Sequence, residues 1–206
     1  MISTDLLLAR GAVYKRIRIH EAVFMEGDSC SYYYQLVKGT LKLINIDHEG
    51  RECVHAVIEA GESFGEFPLF DDAPYAASAI AETDCEVIRL HKPLFLEMLR
   101  ENSEILFNFT RILSKRLRFK YSLIKSMSSS SPETRIINLI NYLKSENKNF
   151  CPDCNQLKLT RRQIAGMTGL RVETVIRTIR QMHNKGELVI SRGKVYCRNM
   201  IHAPAL

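Results

Sequence analysis

The chain has 206 residues, 46% of them hydrophobic, and a formal net charge of +6. This length accommodates one or two domains with buried cores. No apolar stretch approaches the ~20 residues needed to cross a bilayer, and the first residues lack the charged segment and cleavage site of a secretory signal. We therefore expect a cytoplasmic protein, without membrane contact, whose scattered cysteines form no disulfide framework.

Charge is distributed unevenly along the chain. Residues 1–130 contain 16 Lys/Arg and 18 Asp/Glu, whereas residues 131–206 contain 13 and 5, a formal balance of +8. A basic carboxyl-terminal part favours a polyanionic partner. A solvated basic surface without a partner would have the same composition.

The segment 1–92 alternates short β-runs with glycine-marked turns. The stretch YYYQLVKGTLKLINI, residues 32–46, predicts a strand, a turn and a second strand, and similar patterns continue to about residue 90. Regularly spaced short strands predict a barrel or sandwich. The tyrosine run 32–34 is expected to alternate between the barrel interior and the surface.

Helical periodicity follows over 93–127, with two apolar stripes. One stripe can lie on the barrel, and the other predicts a seam with the same helix of a second copy, although both could pack inside one monomer. Serines and a proline predict a hinge at 128–132. The apolar residues assigned to this dimerisation helix are Ile105, Phe109, Ile112, Leu113, Leu117, Phe119 and Ile124.

The remaining segment, 133–206, predicts a winged helix-turn-helix. Thr160 is a good N-cap for a helix over 161–167, and Gly169 supplies the left-handed turn. Val175 falls in a second helix, where a core residue should face the first. Two short strands, ELVIS and VYC, joined by a basic turn, complete the wing.

The second of these helices contains RVETVIRTIR, residues 171–180. Glu173 and Arg177 are four residues apart and share a face. Arginine can bind guanine O6/N7, and glutamate can accept from cytosine N4, so the pair predicts base reading. The alternative is an intrahelical ion pair worth only ~0.3–0.5 kcal/mol. The cations better placed for DNA phosphates are Arg161, Arg162, Arg171 and Arg180.

On the segments FMEGDSCSYYYQLVKGTLKL, GESFGEFPLFDDAPYAASAIAETDCEVIRL and LTRRQIAGMTGLRVETVIR, the chain resembles the CRP/FNR family of bacterial transcription factors. The resemblance implies an α+β fold: a cyclic-nucleotide-binding-type β-barrel (a double-stranded β-helix or jelly roll), a dimerising helix and a winged helix-turn-helix. It also implies a homodimeric, sequence-specific regulator, not an enzyme, whose partners are double-stranded DNA and RNA polymerase.

The resemblance assigns base contacts to Val172, Glu173, Ile176 and Arg177, and phosphate contacts to Thr160 and Arg161. The run VETVIR is nearer to the FNR branch, which implies a palindrome with TTGA-like half-sites. Ile176 stands where that branch has serine, which puts the outer thymine contact in doubt.

On the sensor side, Gly65 and Glu66 match the pair that holds the ribose of cyclic AMP in the family. Ala76 and Ala77 occupy the positions of the phosphate-binding arginine and serine, and alanine cannot replace a bidentate arginine, so cyclic AMP is disfavoured. The residues assigned to an effector pocket are Phe64, Gly65, Glu66, Ala76, Ala77, Lys120 and Tyr121.

The effector itself stays open. Residues 1–29 contain no cysteine, which disfavours an iron–sulfur sensor of the FNR kind. Haem or another small molecule stays open, with no histidine singled out, and no cofactor is assigned. A regulator that is always competent for DNA, and a nucleotide-binding scaffold without DNA function, are the alternatives.

Cys151 and Cys154 form a C-x-x-C motif. One such pair is half of a zinc site, and nearby residues offer no second half with ligand-like spacing. A redox-sensitive dithiol is the other alternative, and a metal-free loop is the leading interpretation. No arrangement of residues indicates catalysis.

Overall fold

The described residues of the computed structural model are 2–50, 52–129, 131–151 and 153–197, with the side chains of 126–129 excepted. The chain divides into two compact units, Met1–Leu117 and Arg118–Leu206. No helix among the described residues is long and apolar enough to span a membrane.

Eight strands dominate the first unit. They are β1 Val13–Ile17, β2 Ala22–Phe24, β3 Tyr32–Lys38, β4 Thr40–Ile46, β5 Glu52–Glu59, β6 Ser63–Phe64, β7 Ser78–Ala81 and β8 Cys85–His91. They form two four-stranded antiparallel sheets, ordered β1-β8-β3-β6 and β2-β7-β4-β5. All eight strands contribute side chains to one buried core, so the predicted barrel or sandwich is confirmed.

Strand β3 shows how the pleat divides side chains between two cores. Tyr34 and Leu36 point into the core between the sheets, whereas Tyr33 lies in a second cluster on the opposite face with Phe95 and Phe109. The expectation that the tyrosine run alternates between interior and surface was therefore wrong for Tyr33, which is 1% exposed. Helices cover that face, because its side chains are as apolar as those inside.

Four helices accompany the sheets: α1 Thr4–Ala9, α2 Pro68–Asp71, α3 Lys92–Glu101 and α4 Ser103–Ser129. The single helix expected over 93–127 is therefore two helices. Asn102 has an extended backbone between them, and its side-chain oxygen accepts a hydrogen bond from the Ile105 amide at 3.2 Å. Asparagine favours such local bonding over a helical interior, which explains the break.

The expected hinge over 128–132 also differs from the structure. Helix α4 continues through Ser129, and α5, Pro132–Ser145, begins at the proline. The hydroxyl of Ser131 caps α5 by accepting from the Thr134 amide at 3.2 Å. The serines at 128 and 129 are thus helical, and Ser130 lies outside the described residues.

Helix α4 presents two different apolar faces. Phe109 is buried in the first unit, and Phe119 is buried in the second unit, where its ring stacks on Tyr142 with centroids 3.5 Å apart. These two residues, assigned to the dimerisation helix, therefore pack within the chain. Ile105 and Leu113 pack partly against the first unit's core, and Ile112 is half-buried.

Among the described residues, the second unit contains the end of α4, helix α5 and five further elements. They are β9 Gln156–Leu157, α6 Arg161–Thr168, α7 Val172–Asn184, β10 Leu188–Ser191 and β11 Lys194–Cys197. The three strands form a sheet in the order β10-β11-β9. Helix α5 buries Ile136, Leu139, Ile140 and Leu143, whereas Ile137 is half-buried.

Candidate nucleic-acid interface and sensor region

Helix α6 begins with a reciprocal cap. The hydroxyl of Thr160 accepts from the Gln163 amide at 3.1 Å, and the Gln163 side-chain oxygen accepts from the Thr160 amide at 2.7 Å. This capping box satisfies two backbone donors at the helix start. The predicted N-cap is confirmed, and the helix ends at Thr168, one residue later than expected.

A glycine turn joins α6 to α7. Gly169 has φ 65° and ψ 26°, and its amide donates to the carbonyl of Ala165. Such a left-handed end favours glycine because a side chain there is strained. Ala165 is 4% exposed and Val175 is fully buried, so the two small or branched residues lie in the core as predicted for a helix-turn-helix.

The opposite sides of α7 differ sharply in exposure. Its buried residues are Val175, Thr178, Ile179 and Met182. On the other side a shallow groove of about 320 Å³ is lined by Glu173, Ile176, Arg177, Arg180, Gln181 and Asn184. We call these six residues the reading face. Of the four predicted base contacts, three are exposed on this face, and Val172 is half-buried.

Two members of the reading face were missed from sequence. Gln181 and Asn184 are exposed and line the same groove. Both follow from helical spacing, because Gln181 lies four residues after Arg177 and Asn184 seven residues after it. An amide side chain can donate and accept, which suits contacts to base edges.

The two charged side chains predicted to read bases have no polar side-chain partner among the described residues. Neither Glu173 nor Arg177 makes an ion pair or side-chain hydrogen bond to another described residue. The intrahelical pair that would have explained both residues structurally is therefore not formed. The two groups are left for an external partner.

Of the four predicted phosphate cations, Arg180 lies on the reading face itself, and the other three precede α7 in the sequence. Arg162, Arg171 and Arg180 are exposed, and Arg161 is half-buried. Burial lowers the pKa of the Arg161 guanidinium from its ordinary value, yet an arginine remains charged in proteins. Arg171 is also the N-cap of α7 and makes no side-chain capping bond, so amides at that helix start lack a side-chain partner.

The wing is a tight hairpin. Strands β10 and β11 pair antiparallel with Ser191 opposite Lys194, and Arg192 and Gly193 between them have φ 47° and 77°. Two positive φ values identify a turn whose twist matches the strands. Arg192 and Lys194 are both exposed at the tip, which places two cations on the wing.

In the sensor region, Glu66 is buried and forms an ion pair. Glu66 is 3% exposed, and its Oε1 is 2.5 Å from Nη1 of Arg116 on α4. The other terminal nitrogen of Arg116 donates to the Ser63 carbonyl at 2.8 Å. Glu66 is therefore a buried member of an ion pair. Arg116 lies seven residues after Phe109 on the same helical face, and this spacing was the missed signal.

Aromatic rings fill the barrel interior beside Gly65. A Cβ atom built on Gly65 would lie 2.5 Å from the Phe24 ring and 3.1 Å from the Tyr75 ring. These two rings stack with centroids 3.7 Å apart, and Phe64 is fully buried next to Phe24 and Tyr34. Gly65 is thus required by close packing.

The other residues assigned to the effector pocket are divided between the two units. Ala76 is exposed and Ala77 is half-buried in the first unit. Lys120 and Tyr121 lie on the part of α4 that belongs to the second unit, where Tyr121 is 66% exposed.

The C-x-x-C motif lies in the loop between α5 and β9. Both thiols are free, with Cys154 exposed and Cys151 partly exposed. Within the described part of the chain, no cluster of three or more His, Cys, Asp or Glu side chains could hold a metal ion. The described residues therefore offer no second half for a zinc site.

Comparison with known protein families identifies both units. Residues 14–102 match the cyclic nucleotide-binding domain, and residues 134–201 match the Crp-like helix-turn-helix domain. A sensor-type β-domain followed by a helix-turn-helix defines a DNA-binding transcriptional regulator.

Relatives of known function agree with this class. The cAMP-activated global transcriptional regulator CRP of Haemophilus influenzae is 29% identical over 170 residues, which are 82% of this chain and 75% of the relative. The cAMP-activated global transcriptional regulator Vfr of Pseudomonas aeruginosa is 26% identical over 185 residues, covering 87% and 86%. The chain belongs to the CRP/FNR family, and the two relatives above are transcriptional regulators.

Solved structures show the same fold. FixK2 from Bradyrhizobium japonicum superposes with a TM-score of 0.75 at 20% identity, covering 91% of this chain and 93% of that one. CLP from Xanthomonas campestris, described as a c-di-GMP-responsive global regulator, has a TM-score of 0.72 at 22% identity, covering 95% and 100%. A scaffold without DNA function is not consistent with the helix-turn-helix match.

Proposed function

We propose that this regulator binds a palindromic, TTGA-like DNA site as a homodimer, and that its effector is not cyclic AMP. The observation that carries the DNA-reading part is the reading face of α7. There, Glu173 and Arg177 are exposed, four residues apart and without partners among the described residues. Buried Val175 and Ile179 hold the opposite side of the helix in the core.

Base recognition follows from the chemistry of these two side chains. The Arg177 guanidinium can donate two hydrogen bonds to guanine O6/N7, while the Glu173 carboxylate accepts from cytosine N4. Ile176, which is 41% exposed, presents an apolar surface between them, and an apolar side chain can contact a thymine methyl group. Together they read a short step, as the resemblance to the FNR branch implies.

Phosphate contacts position this helix. Arg161 is the best-supported candidate, because it is partly desolvated and no side chain among the described residues pairs with it. A DNA phosphate would supply the missing counter-charge. The exposed Arg162, Arg171 and Arg180 and the hydroxyl of Thr160 add contacts that fix register without reading sequence.

Homodimerisation is supported by one stripe of α4. Leu106, Leu117, Tyr121 and Ile124 are 40–66% exposed. At 3.6 residues per turn, these positions and half-buried Leu113 fall within about 80° of one another around the helix. A second copy of α4 would cover this stripe, and two reading faces could then engage half-sites about one DNA turn, ~34 Å, apart.

The proposal that cyclic AMP is not the effector depends on the sensor region. Neither Ala76 nor Ala77 can neutralise a phosphate. Glu66, the residue expected to hold a ribose, is buried against Arg116, and aromatic rings occupy the space beside Gly65. Haem or another small molecule stays open as the effector, and RNA polymerase is the expected partner at the promoter, in the cytoplasm.

The filled interior also favours a second candidate function. A regulator without any ligand would be competent for DNA at all times and would respond only to its own abundance. The stacking of Phe24 on Tyr75 and Phe64 inside the barrel supports this alternative. Footprinting with and without cell extract distinguishes the two, because only an effector-controlled regulator changes its protection.

DNA binding is tested by titrating a TTGA-N6-TCAA duplex against a duplex of scrambled sequence at several salt concentrations. We expect tighter binding to the palindrome and affinity that falls as salt rises, because cations displace counterions from DNA. Equal affinity for both duplexes would contradict sequence reading. Calorimetric titration with cyclic AMP should give no binding heat.

The dimer is tested by light scattering of Leu117→Glu and Ile124→Glu proteins. A buried charge in the seam should convert the dimer to a monomer. Asn108→Glu is the matched control, since Asn108 lies on α4 about 180° from Leu117 and is exposed. A wild-type monomer, or dimers in every variant, would refute the seam.

A further inference from the structure

Two cysteines lie on one short loop of the second unit. The loop between α5 and β9 is closed at its base by a bridge between Phe150 and Leu157. Cys151 lies just inside that base, and Cys154 lies near the tip of the loop. Two residues separate them, so a disulfide between them would close a very small ring.

Backbone hydrogen bonds hold this loop in place. The Cys151 amide donates to the Gln156 carbonyl at 2.9 Å, and the Asn155 amide donates to the Cys151 carbonyl at 3.0 Å. The Asn155 carbonyl accepts from the Cys197 amide at 3.1 Å, which attaches the loop to the wing sheet. Asn155 has φ 54°, a left-handed backbone that turns the chain back toward Cys151. The two side chains are therefore kept near each other in the folded protein.

The two thiols differ from the other cysteines of the chain. Cys85 and Cys197 are buried, and burial raises the pKa of the Cys197 thiol. By contrast, a hydrogen bond from the Cys154 side chain, followed by backbone donors, lowers the pKa of the Cys151 thiol. Cys53 is exposed but has no neighbouring motif cysteine. Among the described cysteines, only the motif pair combines access to solvent, a stabilised thiolate and a second thiol close by.

We propose that Cys151 and Cys154 form a reversible dithiol–disulfide site, with Cys151 as the attacking sulfur and Cys154 as the resolving one. The oxidant is a hydroperoxide. The Cys151 thiolate attacks a peroxide oxygen, the O–O bond breaks, and the departing oxygen takes a proton and leaves as water or alcohol. The product is a sulfenic acid on Cys151.

The second step forms the disulfide. The Cys154 sulfur attacks the sulfenic sulfur, the S–O bond breaks, and hydroxide leaves as water with the proton from Cys154. The two sulfurs lose two electrons in total, which reduce one peroxide. A small dithiol reverses the reaction by thiol–disulfide exchange. This chemistry is independent of DNA recognition and of the effector.

Mass spectrometry of the full-length chain tests the site directly. Trypsin cleavage after Lys148 and Lys158 places both thiols in one peptide, residues 149–158. After brief exposure to hydrogen peroxide and alkylation, that peptide should lack both alkyl groups and the mass of two hydrogens. We expect it to react at least about tenfold faster than Cys53, because the thiolate is the reactive form.

Variants assign the roles. In Cys154→Ser protein, the sulfenic acid on Cys151 should persist and be captured by dimedone. In Cys151→Ser protein, Cys154 should react no faster than Cys53, and Cys53→Ser should leave the disulfide unchanged. A peptide that stays doubly alkylated while Cys53 is oxidised would overturn the site, and dimedone capture on Cys154 in preference to Cys151 would overturn the assigned roles.

Discussion

Replacing Arg116 by methionine should destabilise the first unit strongly. The variant removes the cation that contacts Glu66 at 2.5 Å and the hydrogen bond to the Ser63 carbonyl at 2.8 Å. The side chains of Glu66 and Arg116 are only 4% and 17% exposed. Water therefore cannot replace the lost cation without entering the core.

The magnitude follows from burial. Removing one partner of a buried ion pair costs about 3–5 kcal/mol, because the other charge stays desolvated. Coulomb's law supports that scale, since two unit charges about 4 Å apart interact by ~4 kcal/mol at an effective dielectric constant of 20. The double variant Glu66→Gln/Arg116→Met removes both charges, and it should recover most of the loss, to within about 1–2 kcal/mol of wild type.

Urea unfolding measures these free energies. The chain has no tryptophan and eight tyrosines, so near-ultraviolet circular dichroism of the tyrosines is the signal. Tyr33 reports on this region because it is buried close enough to Glu66 to feel its charge. Burial raises the pKa of Tyr33 most, and the charge of Glu66 raises it further. The control is Arg10→Met, since the Arg10–Glu101 pair is 38% and 49% exposed and should contribute under about 1 kcal/mol. A loss below that limit for Arg116→Met would refute the reasoning.

Three further predictions concern the second unit. Thr160→Ala should lower the free energy of unfolding by about 1 kcal/mol in urea titrations through loss of the helix cap. Phe119→Ala should cost about 3–5 kcal/mol in the same assay, because its ring is buried against Tyr142. Burial, then the charge of Glu133, raises the pKa of Glu187, so the folded state keeps a proton that the unfolded state loses. Unfolding free energy should therefore fall as pH rises between the two pKa values, and thermal scans of Glu187→Gln should lack that fall.

Local periodicity explains why much of the fold could be predicted from sequence. The two-residue alternation of β3 and β4 and the 3.6-residue spacing of α7 arise from neighbouring side chains on one element. Thr160 and Gly169 act within their own helix ends, so their roles as cap and turn were confirmed. The exposed face of α7 followed from the same spacing.

Contacts between distant segments could not be predicted in this way. Tyr33 is buried by α3 and α4 residues more than 60 positions away, such as Phe95 and Phe109. Glu66 and Arg116 are 50 residues apart, and nothing in either local pattern pairs them. At the break between α3 and α4, the Asn102 side chain accepts one hydrogen bond from the backbone. The helical periodicity of apolar residues continues on both sides of Asn102, so the pattern alone did not predict the break.

Base selection by Arg177 is the central claim, and it is tested by measuring the affinity of Arg177→Ala for a panel of duplexes that vary one base pair at a time. We predict that discrimination at one base pair falls by about 1–3 kcal/mol while the other positions keep theirs. Arg162→Ala is the control and should weaken all duplexes alike, with a shallower salt dependence. If Arg177→Ala also weakens every duplex equally, Arg177 binds only phosphate and α7 does not read bases through it.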